Sequence, residues 1–467
     1  MLEADDDANR LRAAWDAFLV EALDWEATVR AWRVSPSAKP DALRAHLHSR
    51  FDLSRGVPID ALFSRVREEL RTALTQVTHP RYFGLFNPSV RPAAVLADAL
   101  ASLYNAQLAA WSHGTAAIEL ERLALDALGR GIGFEGSGHA TFTSGGNEAN
   151  LSALQCALAA RFPAWSTAGA RGLPPLAIYL SEQGHHSILK SARMSGLGDD
   201  SVRTLPSDAA LRLDVTALRA ALRADRAAGV TPLLIVGTAG STGAGVVDPL
   251  MTLGGIAREV GAWFHVDAAW GGAASLVPRL RPALEGIAQA DSVTWDAHKW
   301  LSVPIGAGMF FCKHPDAAAR AFATTTGYMP QPAVASEPYA VTAQWTRRAL
   351  GLKVVMALGE LGLDGYATLI EHQATMGDAL RAKLRAAGWE LVNDTPLPVV
   401  CFTNAALRAS APGAVTLVER MHARGECWIS SLPLRDEIVL RACITSYQTQ
   451  PADLDALIAE LAECQRR

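Results

Sequence analysis

Six short apolar runs punctuate the middle of the chain, at Ala140–Thr143, Ala177–Leu180, Leu233–Gly237, Trp263–Val266, Ser292–Thr294 and Gly308–Cys312. Longer stretches with helical spacing lie between several of them, for example Asn147–Arg161 and Val215–Ala228. This alternation predicts an α/β domain built on a mostly parallel sheet. In such sheets ligands sit beyond the carboxyl ends of the strands, so residues that do chemistry are expected just after the apolar runs.

The flanks read differently. From about Asp7 to Trp32 the apolar residues Leu11, Trp15, Leu19, Leu23 and Trp25 fall near one side of a helix. The run Ser35-Pro36-Ser37-Ala38-Lys39-Pro40 breaks it, and a second helical segment follows from about Pro58 to Gln76. Residues 1–78 are therefore expected to form a helical arm, and 79–353 the large α/β domain. Beyond it come a helix at Leu352–Leu361 ended by Gly362, another at Tyr366–Ala387, strands around Pro398–Phe402 and Ile438–Ala442, and a last helix from about Pro451 to Glu463. These predict a small α+β domain over 354–467. Half of the 467 residues are hydrophobic and the net charge is only −4, which suits a large core and gives no bulk attraction to nucleic acid or anionic membrane. The six cysteines form no CxxC pair and are expected to be reduced thiols. The acidic start, Glu3 to Asp7, is unlike a secretory signal, and no apolar stretch approaches the ~20 residues of a membrane span; the expected compartment is the cytoplasm.

Four stretches follow strands and carry chemistry. Ser144-Gly145-Gly146-Asn147-Glu148 opens a helix, where glycines and unpaired amides suit a phosphate; the same residues also suit an ordinary turn with Asn147 as helix cap. Val266-Asp267-Ala268-Ala269 puts a carboxylate at the end of an apolar strand, where it needs a cationic or donor partner or merely caps a turn. Asp296-Ala297-His298-Lys299-Trp300 sets a lysine among aromatics, where loss of solvent frees its amine for Schiff-base chemistry unless it snorkels to water. Glu182-Gln183-Gly184-His185-His186 offers a histidine that could stack on a flat ring or handle a proton. Adjacent histidines diverge and no third ligand follows at a convincing spacing, so no metal is expected. Thr242, in a Gly- and Thr-rich stretch after another strand, offers a hydroxyl. Tyr328, in a polar segment marked by Gly327 and Pro330, could close over a site and donate a proton. Each stretch has a plain structural explanation alone. Anion loop, buried acid, stacking histidine and amine together are the contacts a pyridoxal phosphate (PLP) ring requires.

On these residues the chain resembles the group II PLP-dependent amino-acid decarboxylases, from about His79-Pro80-Arg81-Tyr82-Phe83 to Leu440-Arg441. The resemblance implies the aspartate-aminotransferase-like fold, fold type I, and a homodimer with the site at the interface. It implies that Lys299 is the Schiff-base lysine, preceded by His298; that Asp267 faces the pyridine nitrogen and Ala269 lies under the ring; and that His185 stacks on it. Gly145, Gly146 and Asn147 match the phosphate loop, and Thr242 the hydroxyl near the phenolic oxygen. Asp296 stands where aromatic decarboxylases often carry Asn. Tyr328 matches the protonating tyrosine; aldehyde-forming relatives tend to have Phe there. Phe83, Phe86, Asn87, Trp111 and His113 lie in pocket-lining segments, and the aromatics favour an aromatic amino acid, whereas Arg81 or Arg91 could hold an acidic one. An aldehyde synthase or aminotransferase on the same fold, an inactive binding homologue, and a nucleotide-dependent oxidoreductase are the competing readings; the last lacks GxGxxG at Ser144.

Overall fold

The computed structural model describes residues 2–36, 38–135, 138–324, 327, 337–409 and 413–466. Its centre is a seven-stranded sheet: β1 His139–Thr143, β2 Leu176–Ser181, β3 Val202–Leu205, β4 Thr231–Thr238, β5 Trp263–Asp267, β6 Ser292–Asp296 and β7 Gly308–Cys312, in the spatial order β1-β7-β6-β5-β4-β2-β3. The pairs from β6 across to β3 are parallel, and β7 runs antiparallel to both β6 and β1. Helices cover both faces, which is why β2, β5, β6 and β7 are buried at every position and read as continuous apolar runs instead of alternating.

Six of the seven strands lie where the apolar runs predict them, within two residues at each end. The exception is β3, a four-residue edge strand (Val-Arg-Thr-Leu) with only Leu205 buried. An edge position needs no continuous apolar stretch, so periodicity carries no signal for it.

The second unit is a four-stranded antiparallel sheet in the order β10-β11-β9-β8, formed by β8 Glu390–Leu391, β9 Val399–Thr403, β10 Ser430–Leu434 and β11 Glu437–Cys443. Strands β9 and β11 match the expected ones. Strand β10 carries Pro433 at the sheet edge, where a missing N–H is tolerated. A kinked helix, Leu352–Ala386, joins the two units; it turns at Gly362, whose φ of 65° falls in the left-handed region. The expected stop at that glycine is thus a bend between two helical halves. The small unit has its own core, including Leu380, Leu384, Phe402, Met421, Leu440 and Leu457.

The helix Leu2–Leu23 packs on the helix Ile59–Ala73, with ion pairs from Arg67 to Glu21 and from Arg10 to Asp60. The intervening strap is tied to the small unit: Val34 N–H donates to Gly425 O at 2.8 Å, and Arg30 pairs with buried Asp453 at 3.1 Å. All six cysteines are free and buried. No helix among the described residues is long and apolar enough to cross a membrane.

Candidate active site

The parallel strands end on one side of the sheet and deliver their following residues to a single pocket. It is lined by Gly146 and Asn147 after β1, His185 after β2, Thr238, Gly240 and Thr242 at β4, Asp267, Ala269 and Trp270 at β5, and Asp296 and Lys299 at β6, with Asn150 and Phe86. Its space, open mouth included, is about 440 Å3.

The loop after β1 turns sharply into the helix Gly146–Arg161. Glu148 reaches back to accept the Ser144 N–H at 2.8 Å and its hydroxyl at 2.7 Å, and the N–H groups of Glu148 and Ala149 fold onto Gly145 O. The cap position is Gly145, not Asn147, which lies in the first turn and faces the pocket. The amides of Gly146 and Asn147 precede any intrahelical acceptor and stay available to an anion. Glycine is needed here for space. A Cβ on Gly146 would lie 3.0 Å from Asp296 Oδ2 and 3.3 Å from Ala269 Cβ, and one on Gly308 in β7 would sit 2.5 Å from Gly145 Cα.

Asp267 is buried at the carboxyl end of β5. One oxygen accepts the Ala269 N–H at 3.1 Å and the other accepts from Asn150 Nδ2 at 2.8 Å. Neither partner is a cation, so a charged ligand would find the carboxylate oriented but not neutralised. Lys299 Nζ lies 3.0 Å from Asp296 Oδ2 and 5.8 Å from the centre of the Phe86 ring. Asp296 is almost wholly buried, and its Oδ1 has no hydrogen-bond partner; Thr238 Oγ1 is likewise buried without one. These orphaned oxygens, the glycine cradle and the lysine fit a phosphorylated aldehyde. His298 lies behind the lysine, outside the pocket lining. Its Nδ1 accepts the Ala307 N–H at 3.1 Å and its Nε2 is 3.7 Å from Asp296 Oδ2, while burial holds its basicity below the usual histidine range. Burial does the same to His185, whose Nδ1 accepts the Ser187 N–H at 3.2 Å. A neutral ring accepting at Nδ1 carries its proton on Nε2.

Of the substrate-side residues expected from the sequence, Phe86 alone lines this pocket. Its ring stacks on Trp270 at 4.4 Å, Trp270 stacks on Trp300 at 4.5 Å, and the Arg441 guanidinium lies 5.1 Å from the Phe86 centroid. Phe83, three residues earlier, is fully buried in the core of the small unit, its backbone bonded to Trp428 and Cys443. The chain bends over residues 84–86, so Phe83 and Phe86 part company. Asn87 is half-buried and outside the lining. Trp111 bonds to Glu337 and Glu119, and His113 to Ser112, on a helix that does not reach the pocket within one chain. Arg81 and Arg91 are paired to Asp453 and Glu360, away from the pocket. Tyr328 lies outside the described residues. Sequence reasoning missed Asn150 and Arg441. The first sits one helical turn after Asn147, on the same face, and that spacing was the available signal. The second shows only as a charge inside the apolar run of β11. Among the described residues no group of three or more His, Cys, Asp or Glu side chains is placed to hold a metal ion.

The chain matches the pyridoxal-dependent decarboxylase conserved domain over residues 40–405 and belongs to that family. It is a PLP-dependent amino-acid decarboxylase with the large and small units of fold type I. Among its relatives are a tyrosine decarboxylase of Oryza sativa subsp. japonica, 33% identical over 85% of this chain and 77% of that one, and a 4-hydroxyphenylacetaldehyde synthase of Rhodiola rosea, 28% identical over 92% and 90%. An aromatic-L-amino-acid decarboxylase of Bacillus atrophaeus is 26% identical over 90% and 88%. Oryza sativa TDC solved with PLP and tryptamine superposes with a TM-score of 0.91 at 26% identity, covering 99% of this chain and 98% of that one. Mouse CSAD superposes with a TM-score of 0.90 at 26% identity, covering 98% of both.

Proposed function

We propose that the chain decarboxylates an aromatic L-amino acid to the corresponding amine. The observation that carries this reading is the pocket wall formed by Phe86, stacked on Trp270, which in turn stacks on Trp300. A flat apolar surface rewards an aromatic side chain, and offset or stacked rings contribute roughly 0.5–1.5 kcal/mol beyond their buried area. The acidic-substrate alternative loses its expected cations, since Arg81 and Arg91 are held in ion pairs elsewhere.

In this reading Lys299 holds the cofactor covalently, and the amides of Gly146 and Asn147 take its phosphate. When bound, PLP supplies the electron sink that makes loss of carbon dioxide from Cα possible. Asp267 would keep the cofactor's pyridine nitrogen protonated by facing it as an anion, and the small side chain of Ala269 would leave room for the ring. His185 presents Nε2–H to the pocket and can donate to a substrate carboxylate. Thr242 offers its hydroxyl at the rim. Asp296 holds the Lys299 amine in place at 3.0 Å and, with His298 behind it, receives the amine again after each turnover. Tyr328 is proposed as the acid that returns a proton to Cα, which favours amine over aldehyde as product.

The working form is proposed to be a homodimer. Support comes from apolar side chains left open to solvent on two surfaces: Trp15, Leu19 and Leu23 on the first helix, and Leu103, Tyr104 and Leu123 on the helices Pro92–Tyr104 and Trp111–Gly129. Leu23, Leu103 and Tyr104 are 75%, 79% and 77% exposed, and a monomer seldom leaves such clusters uncovered.

Purified protein incubated with each of the twenty amino acids tests the assignment. Amine and carbon dioxide from tyrosine, tryptophan, phenylalanine or a hydroxylated relative support it; release only from glutamate or aspartate, or aldehyde in place of amine, overturns it.

A further inference from the structure

Behind the pocket wall runs a network of buried hydrogen bonds whose direction is set at Asn150. Asp267 can only accept, so the Asn150 atom 2.8 Å from it must be Nδ2, and this fixes the orientation of the amide. The second hydrogen of Nδ2 goes to Ser187 Oγ at 2.7 Å. Asn150 Oδ1 then accepts twice, from Thr294 Oγ1 at 2.7 Å and from His265 Nε2 at 2.9 Å. His265 is wholly buried, and burial pushes its pKa down to about 4, so it is neutral with its proton on Nε2. Its Nδ1 lies 2.9 Å from the Ser292 hydroxyl and 3.1 Å from the Ser292 carbonyl oxygen, and that hydroxyl accepts the Trp263 indole N–H at 2.8 Å. On the other branch Ser187 Oγ, having accepted from Asn150, has its own hydrogen left for His185 Nδ1 at 2.8 Å.

The donors around Asn150 therefore point one way: from His265 and Thr294 into its oxygen, and from its Nδ2 outward to Asp267 and, through Ser187, to His185. One amide serves both. With each lone pair and each hydrogen of Asn150 engaged, it can neither flip nor tilt, and successive donors in a dry interior polarise one another.

We propose that Asn150 is a positioning residue that sets the two polar walls of the cofactor pocket together: it holds Asp267 as an oriented anion through one hydrogen and locks His185 in its Nε2–H form through the other. His265 and Thr294 hold Asn150 in turn. The proposal rests on the reading of Asp267 and His185 given above. It explains why two strands that need only apolar packing, β5 and β6, carry His265 and Thr294 at their centres, where an unpaired polar group would be costly.

The test uses the isosteric variant N150D and the branch-specific variant S187A, with wild type beside them. In N150D the new carboxylate has no hydrogen for Asp267 unless the two share a proton, and either way the anion facing the cofactor is lost or repelled. Losing one charge-assisted hydrogen bond predicts PLP affinity weaker by about 10- to 100-fold, read by titrating apoprotein with PLP. The pH at which the visible cofactor band interconverts with its near-ultraviolet form is predicted to move in N150D. S187A keeps PLP affinity and that pH close to wild type but changes the acid limb of the kcat/KM profile, because His185 Nδ1 loses the hydroxyl at 2.8 Å and keeps only the longer bond from the Ser187 N–H at 3.2 Å. Circular dichroism and the melting temperature of each apoprotein establish folding. If N150D does not fold, T294V, which removes one donor to Asn150 Oδ1, is titrated instead and is expected to weaken PLP in the same direction. Unchanged PLP affinity and spectrum in a folded N150D or T294V overturns the proposal, as does an S187A whose cofactor band shifts as far as that of N150D. If wild type itself forms no covalent link between PLP and Lys299, the underlying reading fails, which is a different result from an intact wild type with an indifferent Asn150.

Discussion

Asp267 and Asp296 are both buried carboxylates at strand ends, yet their surroundings separate their tasks. Asp267 is met only by neutral donors, Asn150 and the Ala269 amide, and keeps its charge for a ligand. Asp296 is met by the Lys299 ammonium and is neutralised within the protein. The expectation for Asp267→Asn is therefore a loss of roughly 100-fold or more in kcat, the size seen when a preorganised electrostatic partner is removed, measured in protein saturated with PLP. Asp296→Asn should instead act on the lysine: PLP attachment slows while substrate KM changes little, measured by stopped-flow absorbance. At the same scale Phe86→Leu, which removes the ring but keeps the volume, is expected to raise KM for an aromatic substrate by about tenfold, with less effect on PLP affinity.

At the scale of elements, the site depends on the close passage of β7 beside the turn after β1. Gly308 lies opposite both Thr143 and Asp296 in the sheet register, and a Cβ there would meet Gly145 Cα at 2.5 Å. Backbone cannot yield as a side-chain tip can. Gly308→Ala is expected to cost about 1–3 kcal/mol of stability and to displace the phosphate loop, seen as a lower melting temperature and weaker PLP binding. This scale also explains what could be read from the sequence. Strands β4, β5 and β6 are buried on both faces and sit next to their chemistry, so apolar runs and the residues after them located Asp267 and Lys299 directly. The edge strands β3 and β10 bury little and left no periodic trace. Phe83 and Phe86 could not be told apart, because which one enters the pocket is decided by pairing to Trp428 and Cys443, far away in sequence. Asn150 and Arg441 were overlooked for the same reason: their partners are 117 and 357 residues distant in the hydrogen bonds to Asp267 and Gly84.

For the whole molecule, two consequences can be measured in solution. The open apolar surfaces around Leu23 and Leu103–Tyr104 predict a mass near twice 49.7 kDa by light scattering, and a double substitution, Leu103→Glu with Tyr104→Glu, is expected to shift it toward the monomer. The second consequence is acid sensitivity. Burial pushes His79 and His265 from 6.5 down to about 4 in the folded chain. Between those values the unfolded chain binds protons that the folded one refuses. Stability is therefore full above about pH 6.5 and falls as pH drops toward 4, where the loss levels off. Shifts of this size correspond to roughly 3 kcal/mol for each group. Urea midpoints measured at intervals from pH 7.5 to pH 4 should decline throughout the lower part of that range; a flat profile would place both rings in contact with water.

We propose that Lys299 carries PLP at the carboxyl ends of the parallel strands. It is tested most directly by reducing the purified holoprotein with borohydride, digesting it and locating the phosphopyridoxyl group by mass spectrometry. A single modified lysine, Lys299, is expected, together with loss of the visible absorbance band and of amine production. A group attached at another lysine, or none in protein saturated with PLP, would contradict it.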